Sequence, residues 1–471
     1  MAQVTFPTYL GGSGNTYSDD DNPNTGLAND GHRVRFVPLC GEVLAMGLYV
    51  YQYAAKIDNA AANADRAEDA RGYVEAVADA YSVNLLDQFK RKATLGLDFI
   101  EGRYWVDAGE RFETTDFSQI GAVSRTTDVY LEGANGDLQP FTAGALARGW
   151  RGGKAIGKVS GDATTNTAIN SNAPDNWLLT TGATVESVEF INGIARAKVR
   201  LATQTDAGIS FNTSLTEDGD WTLSARIKIL EGWDDKLLVA SMGGAGNFSR
   251  FHDVPPQGKW GWIERSDSVV NTSHDARIIR RVNNNAPDMV LLVEAQQVEK
   301  GLVRTPYVPV NGGTAETRSE SGETIQIDGC VNASQGSFLV KVNNVKPNLV
   351  SDFGRVFSVN DGGTDNSIYA IRRKSGRYSL YLFSDGVQQN DFNTIAGSDI
   401  FNCVFSWSNN GKWFACINGT IVDQKDFVKS PLSLTQADFA GISKLKNSEH
   451  EYMYYVPVPL TQAEAIEVTQ Q

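Results

Sequence analysis

From Trp150 to the C-terminus, apolar and polar residues alternate with period two, and this pattern restricts the region to β-structure. Trp221, Leu223, Ala225, Ile227 and Ile229 alternate with Thr222, Ser224, Arg226 and Lys228, which describes a strand with one buried face. Phe338, Val340 and Val342 alternate in the same way with Leu339, Lys341 and Asn343. Beyond each of these strands the features come in a similar order. Residues 236–241 lead to a glycine-rich turn at 243–247, and 355–359 lead to one at 361–366; then come 259–263 and 377–382. Each series closes on a long apolar strand, 289–294 and 452–456. The two series lie a little over 110 residues apart. The expectation is therefore a mainly β chain with two tandem β-sandwiches, 151–318 and 319–471, joined near the polar run 312–323.

Upstream the texture changes. Across 41–95 proline vanishes and alanine dominates, a composition with strong helix propensity. A heptad register runs Val43, Met46, Val50, Tyr53, Ile57, Ala60, Ala64, Ala67, Arg71, Val74, Ala78, Tyr81, Leu85, Gln88. Twelve of these fourteen positions are apolar, so the segment reads as an Ala-rich coiled coil whose seam needs partner chains. Val50, Ile57, Val74, Tyr81 and Leu85 are the expected oligomerisation contacts. A lone amphipathic helix packed on its own domain is the other reading. Residues 96–150 hold short β-rich pieces and the turn Ala134-Asn135-Gly136-Asp137, a hairpin signal; they read as a connector without a core of its own. Residues 1–40 are polar and turn-rich with no period of 2 or 3.6, and are expected to form an extended arm that docks on something larger.

Composition excludes several functions. With 42 basic against 56 acidic residues the formal charge is −14, the wrong sign for a nucleic-acid groove. No apolar run approaches the roughly 18 residues of a membrane span, and the N-terminus MAQVTFPTYLGG lacks the pattern of a secretory signal. Four cysteines in 471 residues are too few for a disulfide framework. If Ser408-Asn409-Asn410-Gly411 is a hairpin loop, Cys403 and Cys416 face each other across adjacent strands. A bridge between them is then conceivable, but two small buried residues are the simpler reading.

Enzyme signatures are missing. No phosphate-binding loop, dinucleotide-binding glycine motif or nucleophile elbow is present. His32, His252, His274 and His450 are scattered without zinc spacing. Glu294 and Glu299 are five apart and should point to opposite faces of a strand, so they do not form the close carboxylate pair of a retaining glycosidase. No catalytic residue is assigned. Asp361 and Asp365 lie in the oxygen-rich loop Asn360-Asp361-Gly362-Gly363-Thr364-Asp365-Asn366, whose residues suit calcium but also suit any tight turn; no cofactor is required. Trp260, Trp262, Tyr378 and Tyr381 are candidates to stack on sugar rings, against the plainer reading of core aromatics. Trp260 and Trp262 share one strand face.

Phe401-Asn402-Cys403-Val404-Phe405-Ser406-Trp407 and Lys412-Trp413-Phe414-Ala415-Cys416-Ile417-Asn418-Gly419 resemble the hairpin of concanavalin A-like (laminin-G-type) jelly rolls, and 454–464 resembles the tail of such domains in phage proteins. Residues 293–301, Thr305-Pro306-Tyr307-Val308-Pro309-Val310 and Thr317-Arg318 are similar to the end of jelly-roll modules in phage tail and virion proteins. Gly14-Asn15-Thr16-Tyr17-Ser18-Asp19-Asp20 and 31–39 resemble the N-terminus of phage tail fibre-like proteins, where an alanine-rich helix commonly follows. The resemblance implies, as an expectation, a non-enzymatic tail fibre with tandem jelly rolls. It would be a homotrimer assembled in the bacterial cytoplasm, attached to other tail or head proteins by its N-terminus, and binding a host surface polysaccharide through its C-terminal domains. A purely architectural head fibre, decoration or tail-hub protein is the alternative, and a glycan depolymerase the second.

Overall fold

The computed structural model describes residues 2–54 apart from 11 and 29, and 84–471 apart from 161–162, 204–205, 212, 214–216, 234–237, 243–248, 252–253, 270–275, 281–286, 302, 346–352, 364, 390–393, 427–433 and 440–447. It divides into two compact units, Met1–Gln88 and Phe89–Gln471.

The first unit is more folded than the expected arm. Strands Gln3–Thr5 and Thr16–Ser18 pair antiparallel, with Phe6 against the Tyr17 ring edge at 5.7 Å. Helix α1, Gly31–Ala54, begins ten residues before position 41 and runs through Pro38. Pro38 lacks an N–H and would ordinarily stop a helix, which is why the sequence suggests a later start. Glu42 reaches back from α1 to accept from the Ser13 backbone N–H at 2.9 Å, from Asn15 Nδ2 at 3.3 Å and from the Ser13 hydroxyl. Arg35 Nη1 donates to the Gly26 carbonyl at 2.9 Å. Val34, Val37 and Leu44 on α1 are 71%, 77% and 68% exposed. Of the expected oligomerisation contacts, Ile57, Val74 and Tyr81 lie outside the described residues, as does the side chain of Val50. Leu85 is half-buried in the short helix α2, Leu85–Lys92, which Asn84 caps through the Leu86 N–H.

In the second unit one sandwich is inserted into another. The main sandwich has a front sheet ordered Thr420–Asp426, Lys412–Ile417, Phe401–Trp407, Gly336–Asn343, Ser448–Val456, Leu95–Asp98, Arg103–Asp107, Arg111–Thr114, with Lys154–Ser160 also beside Ser448–Val456. Its back sheet is ordered Val387–Gln388, Arg377–Ser384, Ser367–Arg373, Phe353–Asn360, Gln436–Asp438, Glu323–Gln326, Gly121–Val123. Between them pack Leu95, Leu97, Tyr104, Phe357, Leu380, Phe405, Trp413 and Tyr455, among others.

Residues 96–150 are therefore no connector. Leu95 pairs with Tyr455 and Asp98 with Tyr452, while Ile325 pairs with Gly121. Leu95 and Leu97 are fully buried; at about 1.5–3 kcal/mol each, their burial alone stabilises by a few kcal/mol. Gly96 between them leaves room for the Trp105 indole, since a Cβ there would lie 2.0 Å from the ring, and Trp105 stacks on Tyr454. The expected tandem boundaries give way to a nested arrangement, because strand partners more than 350 residues apart leave no local mark in the sequence.

The inserted sandwich faces the sheet Ala183–Ile191, Ile194–Leu201, Met289–Lys300, Gly219–Glu231, Trp260–Val269 against Leu178–Leu179, Ala207–Ser210, Ala276–Arg280, Leu238–Met242, Ser249–Phe251. Leu223, Ala225, Ile227 and Ile229 line its core as the alternation requires. The opposite face is buried too: Thr222, Ser224 and Arg226 are fully covered, where one solvated face was expected. The chain enters this sandwich at Thr164–Asn166 and leaves at Glu316–Arg318, and these two strands pair with each other.

A register detail separates the two cysteines. Trp407 pairs with Trp413 and Val404 with Cys416, so the loop is one residue longer than a four-residue loop at 408–411 would make it. Cys403 therefore faces the core, and Cys416 faces Thr469 of the C-terminal helix α3, Gln462–Thr469, at 3.3 Å. All four cysteines are free. A one-residue shift sends opposed side chains to opposite faces.

Candidate binding face

The hairpin made by Ser367–Arg373 and Arg377–Ser384 turns at Gly376, whose φ of +77° suits glycine. Its register sets Tyr369 opposite Tyr381 and Ala370 opposite Leu380. Ile368, Ala370, Leu380 and Leu382 enter the core, so period two turns Tyr369, Tyr381 and Phe383 outward, each half-buried. The Tyr369 and Tyr381 rings are 4.7 Å apart and nearly parallel, at 8°. Phe383 continues the row 6.2 Å from Tyr369 at 7°. The Arg355 guanidinium lies 4.6 Å from the Tyr369 ring centre. Arg373 donates through Nε to Ser379 Oγ and through Nη2 to the Tyr381 hydroxyl, both at 2.9 Å. The result is a row of parallel rings on a rigid sheet, edged by two arginines. Burial raises the Tyr369 phenol above its usual range, so it stays protonated and able to donate.

Tyr378 is not part of this face. It is fully buried, donates to the Ser398 carbonyl at 2.7 Å and lies under the Arg372 guanidinium at 4.6 Å, with its pKa pushed up to about 12 by burial. Being three residues from Tyr381 on one strand, it points the other way. Tyr381 does lie on the face, whereas Tyr369, Phe383 and Arg355 were not singled out from the sequence. The alternation in Ser-Ile-Tyr-Ala-Ile-Arg-Arg carried the signal for Tyr369, but its pairing with Tyr381 needed the register.

Trp260 and Trp262 share one face of the strand Trp260–Val269, opposite Lys228 and Arg226, and both are half-buried. The guanidiniums of Arg196 and Arg226 each lie 4.7 Å from the Trp260 ring centre, and that of Arg304 lies 3.9 Å from Trp262. Arg196 and Arg226 are in turn bound to Glu294, and Arg196 also to Asp137 at 2.9 Å. These tryptophans thus belong to a polar joint where the hairpin of Val129–Glu132 and Leu138–Phe141 meets the inserted sandwich.

The carboxylates of this region have structural partners. Ala295 takes a φ of +54°, and the register shifts so that Arg226 pairs with Glu294 and Thr222 with Glu299. This bulge brings both glutamates to one face, where opposite faces were expected. Glu299 accepts from Thr164 Oγ1, Thr305 N and Thr305 Oγ1, each at 2.7 Å, and from Gln297 Nε2 at 2.9 Å. Gln297 Oε1 accepts from Val308 N at 2.9 Å. Residues 305–308 are therefore a strap clipped onto the strand Met289–Lys300.

In the loop after Phe353–Asn360, both oxygens of Asp361 accept from the loop itself, from Gly363 N at 2.9 Å and Asn366 N at 3.1 Å; Asp365 is exposed. Among the described residues no group of three or more His, Cys, Asp or Glu is placed to hold a metal ion, and no helix is long and apolar enough to cross a membrane.

No family model and no curated protein matches the chain. Solved structures similar to part of it include the CBM40 of the Ruminococcus gnavus IT-sialidase bound to α2,3-sialyllactose, at 15% identity over 29% of this chain and 83% of that one, with a TM-score of 0.25. The leech intramolecular trans-sialidase is 14% identical over 29% of this chain and 23% of its own, TM-score 0.25. The botulinum neurotoxin type G receptor-binding domain is 15% identical over 31% and 39%, TM-score 0.25. Likenesses this slight carry no argument about ligand; the class the fold defines is a mainly β protein with an aromatic face on a two-sheet sandwich.

Proposed function

We propose that this chain is a non-enzymatic bacteriophage virion appendage, a tail fibre that binds a host surface glycan through its β-sandwiches. The observation that carries the binding reading is the outward row of Tyr369, Tyr381 and Phe383, with rings parallel within 8°. A rigid row of aromatic side chains beside hydroxyl and guanidinium donors suits a shallow sugar contact, and one such contact per chain gains strength when several chains act together. Helix α1 leaves Val34, Val37, Leu44 and Leu48 exposed, and a helix apolar on several sides calls for burial elsewhere, which this reading assigns to assembly as a homotrimer. In this reading the first unit attaches to tail or head proteins, and the fibre is built in the bacterial cytoplasm. That same apolar helix favours the architectural alternative, in which the sandwiches pack on virion neighbours.

The test is saturable binding of the labelled full-length chain to susceptible bacteria, with and without periodate oxidation of surface sugars, alongside competition for phage adsorption. Binding that periodate abolishes and that blocks adsorption is the expected result. Absence of binding overturns the adhesin and leaves the architectural role.

A further inference from the structure

Two guanidiniums on the aromatic face lack a carboxylate partner among the described residues. Arg355 stacks on Tyr369, and its Nε is buried without a hydrogen-bond partner. Among the described residues, the Arg373 guanidinium donates to the hydroxyls of Ser379 and Tyr381. The Asp438 carboxylate lies close enough to favour the Arg355 charge, but forms no ion-pair contact with it and accepts instead from neutral donors: Thr324 Oγ1 at 2.9 Å, and Asn360 Nδ2 and Gln436 Nε2 at 2.8 Å. Other arginines find acids, as Arg103 does with Glu113, Arg196 with Glu294 and Arg200 with Glu186, or backbone carbonyls, as Arg125 and Arg148 do. Exposed Lys374 sits in the turn beside Arg373, adding positive charge to that edge.

From this we infer that the ligand of the face is an anionic glycan, with Arg355 and Arg373 receiving a ring carboxylate of the uronic-acid type while Tyr369, Tyr381 and Phe383 support the sugar. The inference rests on the glycan reading of the same face. Its chemistry is that of the guanidinium fork: planar, permanently charged, and able to give two parallel N–H···O bonds to one carboxylate. Stacking on Tyr369 fixes the Arg355 plane before the ligand arrives, so little ordering remains to oppose binding. Burial disfavours the charged form of Arg355, a cost that an incoming anion offsets.

The experiment measures retention of the full-length chain on immobilised polygalacturonate, phosphomannan and dextran at two salt concentrations. Preferential, salt-weakened binding to polygalacturonate is expected, with R355Q and R373Q each losing about tenfold or more in affinity. R355K keeps the charge but not the fork, and should recover only part of the loss. Unchanged melting temperatures in the three variants show that the sandwich is intact. Preference for phosphomannan overturns the carboxylate in favour of a phosphate ester, and equal retention on dextran overturns the anion requirement while the glycan reading stands. No retention on any of the three overturns the inference; periodate-sensitive cell binding would then still support glycan recognition. Cell binding that survives periodate but not protease points to an acidic protein and overturns both.

Discussion

Lys158 and Glu323 form an ion pair at 2.8 Å with side chains 0% and 1% exposed, on the two strands that flank the inserted sandwich. The Lys158 ammonium also lies 5.0 Å from the Phe439 ring centre. A buried pair of this kind contributes little net stability against an apolar replacement, but removing one partner strands the other charge. Lys158→Met should therefore cost about 3–5 kcal/mol, and K158M/E323L should recover most of it, read from urea midpoints. Nearby His450 is buried against Phe439, and burial, with Lys158 adding to it, holds its imidazole well below 6.5. The folded chain keeps His450 neutral while the unfolded chain takes up a proton as pH falls past 6.5. Stability present above that pH is thus lost on acidification. Thermal melts from pH 7 down to about 5 should show this slope, and it should flatten in His450→Leu. Neither residue stood out in the sequence as paired, since Lys158 and Glu323 are separated by the whole insertion.

At the scale of elements, the strap and the hairpin show how family-like motifs can be structural. Gln297 and Glu299 fasten residues 305–308 across the sheet, and their spacing was visible in the sequence, but their role was not. Glu299→Ala leaves the Thr305 N–H and two hydroxyls without their acceptor, and should destabilise by roughly 3 kcal/mol or more, measured by denaturant unfolding with a strap-local probe at Tyr307. The strand Gly219–Glu231 was legible because alternation is local, and its inner residues fall as the pattern requires. Its outer face was misjudged, because coverage by the strap and by the hairpin at 129–141 comes from segments distant in sequence. Tyr378 and Tyr381 make the same point. Their parity on the strand was readable, but which parity faced the core depended on the opposing sheet.

The whole molecule depends on a nested order that has a direct test. A fragment 150–471 lacks Leu95–Asp98, which pairs with Ser448–Val456, its neighbour Arg103–Asp107, and Gly121–Val123, which pairs with Glu323–Gln326. It should be insoluble or molten, with weak near-ultraviolet circular dichroism. Excising 164–318 and closing the gap with a short linker should instead leave a folded main sandwich, because Thr164 pairs with Arg318 and the two ends are already adjacent. Failure of the excised protein to melt cooperatively would show that the two sandwiches form one folding unit.

The amino-acid sequence by itself determined the β character of the C-terminal region, the inward residues of several strands, the acidic charge and the free state favoured for the cysteines. All of these follow from composition or from periodicities of a few residues. Only the tertiary structure decided which strands share a sheet, that one sandwich interrupts the other, that a bulge turns Glu294 and Glu299 to one side, and that Tyr369 joins Tyr381. The physical reason is common to all four. Local sterics and burial set how a strand alternates, whereas pairing is set by hydrogen bonds and packing between segments whose separation the alternation does not encode.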